Sequence, residues 1–458
     1  MTTIDTALGS DARTMAVSEN SMGAPGHLSA PWPLWLRIVF RFVFSYVVLY
    51  CLPFPISLVN WVARSLVPGT DFVAMAYFKL WQVFIPWFSA HILHLSKPVV
   101  FVPDGGDGLG SYVQILCFVV FAAIATLIWT LLDRRRTQYR QLHEGLRIYI
   151  RYFLAFAMFL YGFAKLPYGQ FRTPGLDRLI EPYGSFTPMG TLWYFIGVSK
   201  AYAMFGGIAE VTGGFLLLFR RTTTLGALVV IADMLNVAML NYCYDVPVKI
   251  YSTSLLLLAI FLLMPDMRRL IHFFVLDRPT ASRVLAFPWR SRRWMAPARA
   301  VAKTIIIALA LYGTLVQSFL SMRSYPLRVA KMKSPLYGIY NVEGTGSDAA
   351  GSLVYEVTAG NWRRVAFEYR SFMAVVMADD SMPRYSTKFD TAKHTIALYQ
   401  SSTPIGVLTY SQPDADHLIL QGTFNGQAAH LELRKIDASK YRLYSTGYHW
   451  INEFSNDR

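Results

Sequence analysis

Long apolar runs alternate with short polar ones over the first 320 residues of the chain. Stretches long enough to cross a bilayer occur at 34–52, 112–132, 148–164, 202–219, 224–240, 247–264 and 300–320. A helix rising 1.5 Å per residue needs about 20 apolar residues to cross about 30 Å of hydrocarbon. The sixth run gains length from Pro247, a residue suited to a first helical turn. About seven transmembrane helices are therefore expected. Between the first two, residues 61–98 carry Trp81, Phe84, Trp87 and Phe88 among small and polar residues, the pattern of a helix lying in the membrane interface. Residues 166–200, rich in Pro, Gly and aromatics, are expected to form a short re-entrant or interfacial segment.

From about Leu336 the period changes from that of helices to that of strands. Short alternating runs at 338–342, 362–369, 372–378, 395–399, 406–411, 417–424 and 427–435 are separated by turn residues. The last two flank Asn425-Gly426, the preferred type I′ hairpin turn. Seven or eight antiparallel strands in about 120 residues predict a small β barrel or sandwich. The fold class is thus a mainly α-helical integral membrane protein with a C-terminal antiparallel β domain. The expected divisions are a disordered cytoplasmic tail (1–30), two N-terminal spans with an outer loop (31–147), a helical bundle (148–270), a basic cytoplasmic loop with a seventh span (271–321), and an extracytoplasmic β domain (334–458).

Composition supports the membrane assignment: hydrophobic residues make up 54% of the chain and charged ones 16%, against about a quarter in soluble proteins. The net charge is +15, yet from Met322 onward 15 basic residues face 13 acidic ones. The excess therefore lies beside the apolar runs, where it sets topology, rather than on a folded surface built for nucleic acid. Arginines cluster at 134–147, at 220–221 and at 268–299, three loops that fall on one side. The positive-inside rule makes that side cytoplasmic, with the N-terminus inside and the β domain outside. Arg37, Arg41 and Arg151, near cytoplasmic span ends, are expected to snorkel. Cys51, Cys117 and Cys243 form no metal or thiol-redox spacing, no HExxH is present, and Asp104 to Gly108 lacks the spacing of a calcium loop.

Ionisable residues inside spans are costly and are candidates for function. Glu210 lies eight residues into the fourth run, on the order of 12 Å deep at 1.5 Å per residue, and Asp233 reaches a similar depth in the fifth. Gly206, Glu210 and Gly213 share one helical stripe, where small residues let another helix approach. Asn236, Asn241, Asp245 and Lys249 extend the polar series outward, with Tyr161 and Lys165 at the outer end of the third run. This one-sided ladder suggests a polar pocket open to the outside. Glu210, Asp233 and Lys165 are the catalytic candidates, and Tyr161, Asn236, Asn241, Asp245 and Lys249 the ligand-binding ones. The bland alternative is that Glu210 pairs with a lysine as helix-to-helix glue.

The runs YGFAK (161–165), PYGSFTPM (182–189), WYFIGVS (193–199), FGGIAE (205–210), RRT (220–222), NVAMLN (236–241) and DVPVK (245–249) resemble, in that order, the DoxX family of bacterial membrane proteins. The resemblance covers about 148–270, and the closing GYHWINE (447–453) looks like the end of longer DoxX-like chains. It implies a four-span bundle in a bacterial cytoplasmic membrane and an association with respiratory or thiol-redox assemblies, one relative being a thiosulfate:quinone oxidoreductase. The extra spans, the β domain and the lack of paired thiols depart from that pattern. The reading that follows is a quinone- or redox-associated subunit, with quinone as ligand and the quinone or redox partner subunits supplying the redox chemistry, since no haem, iron–sulfur or flavin motif is present. The alternatives are a membrane anchor presenting a β domain that binds a lipid or an envelope protein, and a transporter.

Overall fold

The structure is a computed structural model that describes residues 31–58, 72–102, 106–166, 169–280, 294–343 and 361–447. The tail at 1–30, Asp104 and Gly105, the arginines at 283–293 and the motif from Tyr448 lie outside them. The chain falls into two compact units, residues 1–52 with 115–146 and residues 53–114 with 147–458.

The first unit holds α1 (Leu34–Cys51) and most of α3 (Leu109–Leu132). Arg41 does not snorkel: it is 1% exposed and donates to the Tyr139 hydroxyl, to Thr130 Oγ1 at 2.8 Å and to the Asp133 carbonyl at 2.8 Å. The carbonyl ends of α3 give the guanidinium a nearer set of acceptors than water beyond the span. Arg151, in the second unit, is buried as well, beside Thr223 Oγ1 at 3.5 Å.

The second unit contains α2 (Phe72–His91), most of α4 (Arg140–Ala164), α5 (Leu176–Leu179), α6 (Pro188–Val198), α7 (Lys200–Leu217), α8 (Thr223–Cys243), α9 (Lys249–Leu263), α10 (Met267–Phe274), α11 (Met295–Leu311) and α12 (Gln317–Met332). Among the described residues six helical segments are long and apolar enough to span a membrane: Leu34–Leu58, Leu109–Leu132, Arg140–Ala164, Thr223–Cys243, Lys249–Phe274 and Ala300–Met332. The expected fourth span forms α7, but Lys200, Glu210 and four glycines within 18 residues keep it below that apolarity. Its glycines serve packing. A Cβ on Gly207 would lie 2.6 Å from the Gly162 carbonyl oxygen, and one on Gly162 would lie 2.6 Å from that of Gly207, so α4 and α7 touch backbone to backbone. The close approach to α4 thus runs through Gly207 and Gly214, while Gly213 of the expected stripe meets Val230 of α8.

A π turn at Tyr312–Val316 fuses α11 and α12 into one helix that runs to Met332. The 33 residues of Ala300–Met332 span about 50 Å at 1.5 Å per residue, more than the hydrocarbon needs. Strand β1 (Lys333–Glu343) starts at the next residue, so no linker separates the last helix from the β domain. That domain is a closed antiparallel barrel, β1 to β8 in sequence order, sealed by β1 against β8 (Gln427–Ile436). Asn425 and Gly426 both take positive φ in the hairpin between β7 (His417–Phe424) and β8, as the dipeptide predicts. The strand missed in the sequence, β4 (Arg384–Asp390), hides because its outward positions are Arg384, Ser386 and Lys388 and its inward ones include Thr387. The barrel interior is filled by Tyr340, Trp362, Phe367, Met373, Leu398, Leu420, Phe424 and their neighbours.

Candidate functional site

Four elements converge at one end of the second unit. Thr187 caps α6 by accepting from the Gly190 N–H at 3.0 Å, with Pro188 in the first turn, and Ser199 caps α7 by accepting from Tyr202 at 3.2 Å. Two adjoining caps turn the chain sharply between α6 and α7. The turn places the aromatic face of α6 beside the ends of α4, α7 and α8. Between them is a cavity of about 200 Å³ lined by, among others, Lys165, Phe171, Trp193, Tyr202, Asp233 and Asn241.

Tyr161, Lys165, Asp233, Asn236 and Asn241 of the sequence candidates reach its wall. Glu210 stands behind Lys165: it is 1% exposed and its Oε1 accepts a hydrogen bond from Lys165 Nζ. The ammonium also lies 5.7 Å from the centre of the Tyr161 ring, which stacks on Tyr251. Asp233 interacts electrostatically with both Lys165 and Glu210. Glu210 pairs with Lys165 directly and Asp233 lies within its field, and Glu210 Oε2 and Asp233 Oδ2 are buried with no hydrogen-bond partner. Asn241 donates to Ser252 Oγ at 3.0 Å, which fixes its amide.

Asp245 and Lys249 do not line the cavity. They pair with each other at 2.8 Å, and Lys249 lies 3.9 Å from Asp107. Asp107 accepts the N–H groups of Lys249 at 2.6 Å and Ile250 at 3.0 Å, and so caps α9. The second acidic residue of the glycine-rich turn thus has a helix to hold, 142 residues away in sequence. The aromatic wall formed by Phe171, Trp193, Phe195, Tyr202 and Phe205 was not among the sequence candidates. Its signal was the density of aromatics over 171–205, which resembled an interfacial segment.

The same loop meets the barrel. Leu176, Leu179 and Ile180 pack on the outward side chains Ile339, Ala366, Ala374 and Val376. Arg384 of β4 bridges Asp177 at 3.2 Å and Glu181 at 3.6 Å, and Tyr444 donates to the Pro174 carbonyl. Glu368 of β2 (Trp362–Tyr369) is pressed against Asp177, whose N–H donates to it at 3.5 Å. Burial first, and then the charge of Asp177, push the Glu368 carboxyl above its usual range.

No family model and no solved structure matches the chain. The uncharacterized protein YwoB of Bacillus subtilis is 37% identical over 126 residues, 27% of this chain and 79% of YwoB. Identity of that extent, covering most of the relative, places the two in one family: the chain belongs to the family of YwoB.

Proposed function

We propose that the helical bundle binds a quinone-type ring and exchanges protons with it, as a redox-associated membrane subunit. The observation that carries this reading is the charge imbalance at the cavity: two carboxylates face one lysine, and one oxygen of each is buried without a partner. An uncompensated charge in an apolar interior costs several kcal/mol. A proton shared by the pair, or a hydroxyl of the ligand, relieves it. Lys165, Asp233 and Asn241 would meet the polar edge of the ring, and Phe171, Trp193 and Tyr202 would stack on its faces. Glu210 would pass the proton through Lys165 or Asp233. The quinone or a partner subunit would supply the electrons.

The DoxX-like order of motifs supports a link to respiratory assemblies. The arginine-rich loops support a topology with the N-terminus in the cytoplasm of a bacterial cell and the barrel outside its cytoplasmic membrane. The barrel, tied to the last helix without a linker and to the loop over the cavity, then serves as an outer brace. Native mass spectrometry of protein purified in mild detergent tests the proposal. A co-purified quinone that is lost in Asp233→Asn is expected. Protein that holds no quinone, and takes none up when a polyprenyl benzoquinone is added, overturns it.

A further inference from the structure

Helices α7 and α8 are locked together at one end and leave a seam at the other. A Cβ on Gly213 would lie 2.8 Å from Val230, and one on Gly226 would lie 2.9 Å from the Leu217 nitrogen, so their backbones meet closely there. The cavity occupies the space beside their opposite halves, between Tyr202, Phe205, Gly206 and Ala209 of α7 and Asp233, Asn236, Val237 and Leu240 of α8.

The rim of this seam is exposed and apolar. Phe195 is 64% exposed and Phe205 is 68% exposed, Tyr202 is half exposed, and Ile208, Leu235 and Met239 continue the surface along both helices. Asn236, a polar residue on a membrane helix, opens onto the same side. Leu235 and Met239 stand on the spanning helix α8, and Phe205 and Ile208 on α7 packed against it; large exposed apolar side chains beside a spanning helix are covered by lipid tails rather than water. A polar cavity whose rim lies among them is therefore reached from within the bilayer.

Size sets the second limit. A cavity of 150 Å³ accepts benzene, so about 200 Å³ holds one substituted ring and not a chain of isoprenoid length. We infer that the site takes a lipid-dissolved molecule with a single compact polar ring, admitted sideways between α7 and α8, while its long apolar tail stays in the bilayer against Phe205, Ile208 and Met239. This rests on the proposed ring-binding role and adds the route and the substrate class. Gly206 is the position where the route can be closed. A Cβ there meets nothing nearer than Lys165 Cδ at 3.8 Å, so a larger side chain enters the cavity without forcing helices apart.

The test uses full-length protein in lipid nanodiscs and a benzoquinone whose polyprenyl tail carries a photoreactive diazirine. Crosslinks are mapped by mass spectrometry. Crosslinks on the outer faces of α7 and α8, reduced about tenfold or more in Gly206→Leu, are the expected result. A probe whose ring occupies the cavity, shown by competition with the untailed quinone, but whose tail crosslinks to the 170–197 loop or the barrel, overturns the lateral route and leaves ring binding standing. Crosslinking that Gly206→Leu does not change, with no competition, overturns both. Near-wild-type melting of Gly206→Leu establishes that its loss of binding is not a loss of fold.

Discussion

Glu210→Gln removes the negative partner of Lys165 while keeping shape. In the native protein the Glu210 side chain has no exposure and that of Lys165 is 12% exposed. Removing one member of a buried pair strands the other charge and costs about 3–5 kcal/mol. Asp233 also interacts with Lys165 and takes up part of that charge, which sets the expected loss near the bottom of the range, about 3 kcal/mol. The loss should be partly recovered in Glu210→Gln with Lys165→Met, where the ammonium is removed together with its closest partner, and deepened in Glu210→Gln with Asp233→Asn. Melting curves of the single and double variants in one detergent, followed by tryptophan fluorescence, give the coupling between the sites. A Glu210→Gln protein that melts with the wild type, and a Lys165→Met double variant no better, would falsify the view that this pair joins α4 to α7. The carboxylate would then be buried for its proton alone.

Gly207→Ala should destabilise by about 1–3 kcal/mol, because its Cβ would sit 2.6 Å from the Gly162 carbonyl oxygen, whereas Gly206→Ala should be neutral or slightly stabilising; equal melting temperatures would contradict the backbone contact. Asp107→Ala should cost about 1–2 kcal/mol by uncapping α9, seen as faster amide exchange at Lys249 and Ile250; unchanged exchange there would count against the cap. Glu368 has a raised value in the folded protein, so its contribution is fully present below the ordinary glutamate value of about 4.3 and is lost as pH rises through the folded value. Wild-type barrel melting should therefore fall more with rising pH over that window than melting of Glu368→Gln; identical profiles would refute the raised value at Glu368.

Much of this architecture was legible from local pattern. The apolar runs located the spanning helices, the alternation located seven of the eight strands, and Asn425-Gly426 named its own turn. Depth along the helices singled out Glu210 and Asp233 and left Lys165 or Lys249 as the partner of the former. Three things had no local signal. The choice of Lys165 over Lys249 depends on α4 crossing α7 at Gly162 and Gly207, and on Asp107 claiming the start of α9 for itself. The docking of Leu176 and Ile180 on the barrel wall joins segments more than 150 residues apart, so the loop read as interfacial. Strand β4 offers only Tyr385 and Phe389 as large apolar residues among Arg, Ser, Thr, Lys and Asp, so its inward side was thinly marked. Periodicity records which face of an element is apolar, because that is decided residue by residue. Which apolar faces meet, and which charges they trap between them, is decided by long-range packing. In this protein that packing made a cavity from residues as distant in sequence as Tyr161 and Val248.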